Sequence, residues 1–513
     1  MSFPARGPAA LFAVASSAFF ALQPVVVRAL SWGDETNVSL TATDSETGLT
    51  HRALLLDAAG TLHVTWCERG APNQNYRIET RRWNGSSWSA PETIVDYLAS
   101  DPGSNGGAKY PSLVEAANGD LHLFWHDYRV AGINNVEIFT KARPSGGVWN
   151  PDRSADIRLT TTNHPETMGD NGYVPVAVAS SDGAVHVAWY DFRYDGSAAE
   201  ILSKTKPAVG SWDVQPGDDA DERVTTDLDN SELVDVDADA AGALHAVWRS
   251  LGSGARVRYA RRDPSTGTWS TPIDVDTASQ ASGAPAAAVA ANGSVQVVWP
   301  DSRDGGRALW TRTREANGAW GAETRLTAPS HGADEPAVTV DEEGTTHLVW
   351  HDGRVSLLNR EVFYRARPSG APWDTTTAND IRISDASGAS VRPSIAARGG
   401  RVAVLWKDAR TGNNDIFVRI GGPVGTSVTV LSGAEESLHA SPNPVRAGVV
   451  RISGAAPGPL RVFDVAGRRI RTLPPGSDAL RWNLQSESGE RVRPGVYFVR
   501  DAAARTVRLT VLP

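Results

Sequence analysis

Apolar and polar positions along this chain follow one pattern seven times between residues 57 and 410. An apolar strand reaches a Gly-containing turn, a second strand ends in Trp, and acidic and Arg residues follow. The instances are DAAGTLHVTWCER (57–69), EAANGDLHLFWHDYR (115–129), SSDGAVHVAWYDFR (180–193), DAAGALHAVWRS (239–250), AANGSVQVVWPDSR (290–303), DEEGTTHLVWHDGR (341–354) and ARGGRVAVLWKDAR (397–410). Their tryptophans, Trp66, Trp125, Trp189, Trp248, Trp299, Trp350 and Trp406, lie 51 to 64 residues apart, room for four short strands with their turns. Repetition at this period, with Asn-Gly or Asp-Gly hairpin signals and alternating strands, predicts an all-β, seven-bladed β-propeller over residues 30–425. The seventh unit stops after its third strand, Asp415-Ile-Phe-Val-Arg-Ile. The segment Trp32-Gly-Asp-Glu-Thr-Asn-Val-Ser-Leu-Thr matches the fourth strand at 320–327, so an N-terminal strand is expected to complete the last blade and cover its edge.

Past a linker at 426–435 the texture changes. LRVFDVAGRRIRTL (460–473), LRWNLQSESGERVRPGVYFVR (480–500) and RLTVLP (508–513) alternate clearly, with Gly or Pro at the turns, and residues 436–513 suffice for a small C-terminal β-sandwich. At the other end, Arg6, the apolar run 9–22 and Val27-Arg28-Ala29 read as a signal peptide over 1–29, hence an exported mature chain, secreted or on the outer cell surface. No later stretch approaches the roughly 20 apolar residues of a membrane span.

Composition narrows the function. The 59 acidic and 50 basic residues give a net charge of −9 and read as intermixed, without the basic stripe that nucleic acid requires. One cysteine, Cys67, excludes an intrachain disulfide and a cysteine metal cluster, and reads as a buried thiol. The repeated His63, His122, His186, His245 and His347 stand three residues before their Trp, on the opposite strand face, as packing residues. No cofactor or metal is expected. Calcium is a weak candidate at Gly217-Asp-Asp-Ala-Asp-Glu. The recurring acidic residue before the fourth strand (Asp156, Asp221, Glu323, Asp380) reads instead as a solvated turn.

Five units carry Trp-x-Asp-x-Arg, pairing Asp127 with Arg129, Asp191 with Arg193, Asp301 with Arg303, Asp352 with Arg354 and Asp408 with Arg410. Two apart on an extended segment, Asp and Arg point the same way, which suits an ion pair in the scaffold. Arg also grips carboxylates bidentately, so these loops are candidates for a ligand face. Residues that break the repeat are better candidates, above all the long connection 161–175. The candidate ligand-binding set is His126, Arg129, His164, Glu166, Asp170, Tyr173, Arg193, Arg303, His351, Arg354 and Arg410, with Tyr110, Tyr128, Tyr190, His331 and Glu335 nearby in the scheme.

The strand–turn–Trp unit resembles the bacterial neuraminidase repeat and other sialidase-superfamily propellers, over about residues 32–420. Ser181-Asp-Gly-Ala-Val-His-Val-Ala-Trp approximates the Asp-box of that superfamily, while no Arg-Ile-Pro motif stands near the start of the propeller. The tail phrases Val462-Phe-Asp-Val-Ala-Gly-Arg and Pro494-Gly-Val-Tyr-Phe-Val-Arg resemble both the C-terminal sorting domains of the type IX secretion system and the immunoglobulin-like domain of flagellar hook-capping proteins. The tail resemblance implies export across an outer membrane, and the missing catalytic signature favours a non-catalytic, exported or surface propeller that binds a glycan or a surface protein. A sialidase-like hydrolase or polysaccharide lyase and a purely structural surface protein stand as alternatives.

Overall fold

A computed structural model describes residues 30–512, except 42, 49–51, 71–74, 98–106, 130–135, 161–173, 196–197, 215–220, 228, 279, 282, 357, 424–438, 442–444, 447, 454–459, 466–467, 474–479 and 501–505. The expected signal peptide and the linker lie outside the described residues. The chain divides into two compact units, residues 1–424 and 425–513.

The first unit is all-β and propeller-like, with seven antiparallel sheets among the described residues. The second is typical: Ala108–Glu115, Leu121–Asp127, Glu137–Arg143 and Ile157–Arg158 pair in that order. All seven repeat tryptophans have no exposure, because each lies between sheets. Trp189 of the third sheet packs with Phe124 and Ile138 of the second, and Trp406 of the seventh with Val349 and Tyr364 of the sixth. Trp66 of the first sheet shares its core with Ala403, Leu405, Ile416 and Val418 of the seventh. Burying an aromatic surface of about 150–250 Å² at every such junction is what the periodic Trp contributes.

The start of the described chain joins the seventh sheet. Leu30–Trp32 and Thr36–Asn37 both pair antiparallel with Asp415–Pro423, Trp32 opposite Gly421 and Asn37 opposite Phe417. The pairing begins two residues earlier than the sequence pattern placed it.

Four of the repeat histidines, His63, His186, His245 and His347, brace their own hairpins. His63 Nε2 lies 2.8 Å from Asp57 Oδ2 at the turn, and His347 bridges Asp341 Oδ2 at 2.9 Å and the Tyr364 hydroxyl at 2.8 Å. In the fifth sheet Gln296 stands in this place and Trp373 Nε1 donates to its Oε1 at 3.4 Å. Inside the ring of inner strands, Arg52 Nη2 reaches from the first sheet to the carbonyl of Val236 in the fourth at 2.7 Å, beside Asp235 and Asp237.

The second unit packs His439–Ser441, Val450–Ser453 and Leu480–Trp482 against the four-stranded sheet Arg469–Leu473, Leu460–Asp464, Gly495–Arg500 and Thr506–Val511. Val450, Ile452, Val462, Trp482, Val499 and Leu509 fill the core between them.

Candidate functional site

The five Asp-x-Arg loops are built as scaffold. Trp125 Nε1 donates to Asp127 Oδ2 at 2.9 Å, Arg129 Nε donates to the same oxygen at 2.8 Å, and Arg129 Nη1 reaches Asp156 Oδ2 at 2.5 Å. Lys141 Nζ, itself buried, holds the other Asp156 oxygen at 2.8 Å. The arrangement recurs at Asp191, Arg193, Asp221 and Lys204, and at Asp352, Arg354, Asp380 and Arg365. Glu323 serves Arg303, and Glu35 of the N-terminal segment serves Arg410. Two expectations change. The acidic residues before the fourth strands are not solvated turns, since Asp156, Asp221 and Asp380 are buried with 0–1% side-chain exposure. Their carboxylates neutralise cations that tie one strand margin to the next. For the same reason Arg129, Arg193, Arg303, Arg354 and Arg410 spend their guanidinium groups within their own sheets and do not converge on one cavity. Asp and Arg appear in the sequence as an exposed-loop motif because the third partner is 20 to 28 residues away in four sheets and 375 away in the seventh.

A different feature gathers side chains in one place. Tyr110, Leu233, Glu335 and Arg392 have φ of 56°, 55°, 48° and 55°, a left-handed backbone that side-chain-bearing residues seldom adopt. Each sits at a register shift on the first strand of its sheet, the second, fourth, sixth and seventh respectively. The extra residue of such a bulge re-aims a side chain. A cavity of about 170 Å³ is lined by Leu233, Glu335 and Arg392, with Gly48 of the first sheet's segment and Gly283 and Ala284 ahead of the fifth.

Around it lies an ionic cluster. The Arg392 main-chain N–H donates to Glu335 Oε2 at 3.0 Å, and Arg392 Nη1 donates to Glu46 Oε2 at 2.9 Å. Lys407 Nζ donates to both Glu46 oxygens, at 3.2 and 3.1 Å. His351, 2% exposed, places Nδ1 at 3.2 Å from Glu335 Oε2, off the line of a straight hydrogen bond, and Nε2 at 2.8 Å from Arg360 Nη1. A guanidinium only donates, so His351 Nε2 accepts and the proton stands on Nδ1, facing Glu335. Burial pushes the Glu335 carboxyl upward, but His351 and Arg392 overcome it and hold the group down at about 2. No carboxylate lies within ion-pair distance of Arg360 among the described residues.

The second sheet adds aromatic groups. Lys109 Nζ stands 4.9 Å from the Tyr76 ring centre and 5.5 Å from that of Tyr128, and His126 meets Tyr110 and Tyr128 edge-on at 4.6 and 5.4 Å. Two rings can hold a cation at modest desolvation cost. Lys109 likewise has no carboxylate partner among the described residues. The Cys67 thiol joins the two parts: burial pushes it up to about 12, Glu46 adds to this, and the Tyr110 backbone, Lys109 and Arg392 oppose it.

Of the residues singled out in the sequence, His126 falls in the aromatic part and His351 in the ionic part, with Tyr110, Tyr128 and Glu335 beside them. His164, Glu166, Asp170 and Tyr173 lie outside the described residues, as do Gly217–Ala220 of the acidic turn. Glu46, Lys109, Arg360, Arg392 and Lys407 escaped sequence reading. A Pro one residue after Tyr110, Glu335 and Arg392 was the available signal, shared by three first strands.

No protein-family model matches the sequence, and no curated protein matches it. Among solved structures, the chain is similar to the polysaccharide lyase Uly1, at 12% identity over 73% of this chain and 89% of that one, with a TM-score of 0.48. It is also similar to a mutant NanB sialidase from Streptococcus pneumoniae, at 12% identity over 77% and 70%, TM-score 0.41. A third similarity is to PorZ, a surface component of the type IX secretion system of Porphyromonas gingivalis, at 14% identity over 88% and 64%, TM-score 0.35. No helix among the described residues is long and apolar enough to cross a membrane.

Proposed function

We propose that the chain is an exported protein whose seven sheets close into a seven-bladed propeller, and whose bulged inner strands bind a glycan without turning it over. The observation that carries this is the set of four left-handed residues presenting Tyr110, Leu233, Glu335 and Arg392 from four sheets. A left-handed non-glycine costs about 1–3 kcal/mol and persists where the side chain is needed at that spot. Rings for stacking, with the cations Lys109 and Arg360 left without carboxylates among the described residues, suit an acidic sugar. The C-terminal sandwich serves sorting or surface attachment in this reading.

Binding is favoured over hydrolysis or elimination by the state of the groups present. A general acid or base works best with a pKa near the operating pH. Glu335 is held at about 2, far too low for an acid at neutral pH. Burial raises the Tyr190 hydroxyl above its ordinary value, away from a base. His351 Nε2 is already occupied by the Arg360 guanidinium.

A glycan array with the full mature chain, run beside release assays on sialosides and uronate polymers, tests the reading. Binding without turnover, weakened at least tenfold by Lys109→Ala and by Arg360→Ala, is the expected result. Turnover that Glu335→Gln abolishes would replace it with the hydrolase or lyase reading. Binding indifferent to both substitutions would remove this site from consideration.

A further inference from the structure

The C-terminal unit has a charge of its own. Residues 436–513 contain twelve arginines, no lysine and six acidic residues, in a chain of net charge −9. The even mixing suggested by composition therefore stops at the linker. On the four-stranded sheet these cations share a face with two rings. Arg469, Phe463, Phe498 and Arg508 stand directly opposite one another across the four strands, so they form one row on one face. Beside it, Thr472, Arg461 and Arg500 form the next row, with Arg461 directly opposite Arg500.

The four arginines are exposed and both phenylalanines are half-buried, while the alternate residues Leu460, Val462, Tyr497, Val499 and Leu509 fill the core. The Arg500 guanidinium lies 5.7 Å from the Phe463 ring centre. Arg461 and Arg469 have no ion pair among the described residues. The three strand spacings of the first row extend about 14 Å.

We propose that this face is a docking surface for an anionic polysaccharide, independent of the glycan reading of the propeller. Planar guanidinium groups take carboxylates or sulfates bidentately, and the two rings between them offer apolar area for the faces of sugar rings. Charge complementarity points to a polyanion. Phe463 and Phe498 are half-buried and stand side by side between Arg469 and Arg508, which leaves little apolar side chain for insertion into a bilayer and favours an extended polymer.

The test uses the full mature chain with polygalacturonate as probe, neutral dextran as control and phosphatidylglycerol vesicles as competitor surface. Binding to polygalacturonate is expected, with none to dextran. It should weaken as salt rises, since screening acts over about 8 Å at 0.15 M. The R461Q/R469Q variant should bind at least tenfold more weakly with an unchanged melting temperature, because both side chains are exposed. R461K/R469K should recover only part of the loss. Lys109→Ala, in the propeller, should leave this binding unchanged. Equal binding by R461Q/R469Q and parent overturns the inference. So does a loss caused by Lys109→Ala alone, which would instead support the propeller site. Vesicle binding without polygalacturonate binding overturns it in favour of a membrane surface.

Discussion

Glu335 and Arg392 hold equivalent positions in neighbouring sheets, each left-handed at a bulge, and the main-chain N–H of Arg392 donates to the Glu335 carboxylate at 3.0 Å. Leu233 shares the backbone conformation without such a bond, at φ 55°. Its conformation is therefore the clearest measure of what the site costs. Leu233→Gly removes the steric penalty of about 1–2 kcal/mol at the expense of one lining side chain. The variant should melt no lower than the parent in a thermal scan while its affinity for the selected glycan falls. A melting temperature several degrees lower would mean that Leu233 is held for packing.

Acid should destabilise the fold through the hairpin histidines. Burial holds His122, His186 and His245 down to about 4, below the ordinary 6.5. A base depressed in the folded state favours its neutral form. Its full contribution is present above pH 6.5 and is lost as the pH falls toward 4, on the order of 3 kcal/mol for each residue. Glu137 works in the opposite direction: burial lifts it to about 7, so its protonation on acidification removes a cost. Glu335 matters only lower, as pH falls from its ordinary 4.5 toward 2. Gln296 already fills the histidine place in the fifth sheet, so His122→Gln is the informative substitution. Unfolding midpoints between pH 7 and 4 should fall less steeply in that variant than in the parent.

The Trp–Asp bond should be measurable as a difference between sheets. Trp350 Nε1 donates to Asp352 at 2.9 Å, whereas the fourth sheet has Ser250 in the Asp position and Trp248 Nε1 has no hydrogen-bond partner among the described residues. Trp→Phe removes similar area at either site, but only at Trp350 does it strip a donor from a buried carboxylate. Trp350→Phe should therefore cost about 1–3 kcal/mol more than Trp248→Phe in denaturant unfolding. Asp352→Ala, which leaves Arg354 with Asp380 alone and the indole unsatisfied, should cost about 3–5 kcal/mol.

What could be read from the sequence follows from where the forces act. The tryptophans, hairpin glycines and His–Trp spacing are local in the chain and repeat, so the sheets were legible from period alone. The Asp-x-Arg pairs were legible as ion pairs, but not as buried ones. Asp156 lies 27 residues after Arg129, and Lys141 meets them only through the sheet. The bulge residues were harder still. Tyr110, Leu233, Glu335 and Arg392 share a backbone conformation and no side-chain type, and the Pro that follows three of them is missing after Leu233, so no single motif marks all four. Glu46 and Lys407 meet across 361 residues, a pairing that requires the first and seventh sheets to be neighbours.

That neighbouring of the first and seventh sheets yields the last prediction. Leu30–Trp32 and Thr36–Asn37 supply the outer pairing of Asp415–Pro423, Trp32 meets Tyr364 edge-on at 5.1 Å, and Glu35 neutralises Arg410. Removing residues 30–37 leaves an unpaired strand edge, a half-satisfied, partly buried Arg410 and an uncovered Tyr364. An open edge is a template for pairing with another chain. The truncated protein should melt well below the parent and associate on size-exclusion chromatography. Glu35→Gln, which keeps the strand and removes only the charge, should remain monodisperse and lose stability through Arg410 alone. Unchanged melting and elution of the truncated protein would show that the seventh sheet stands without its N-terminal strand, and that the first and seventh sheets are held together by the Trp66 core.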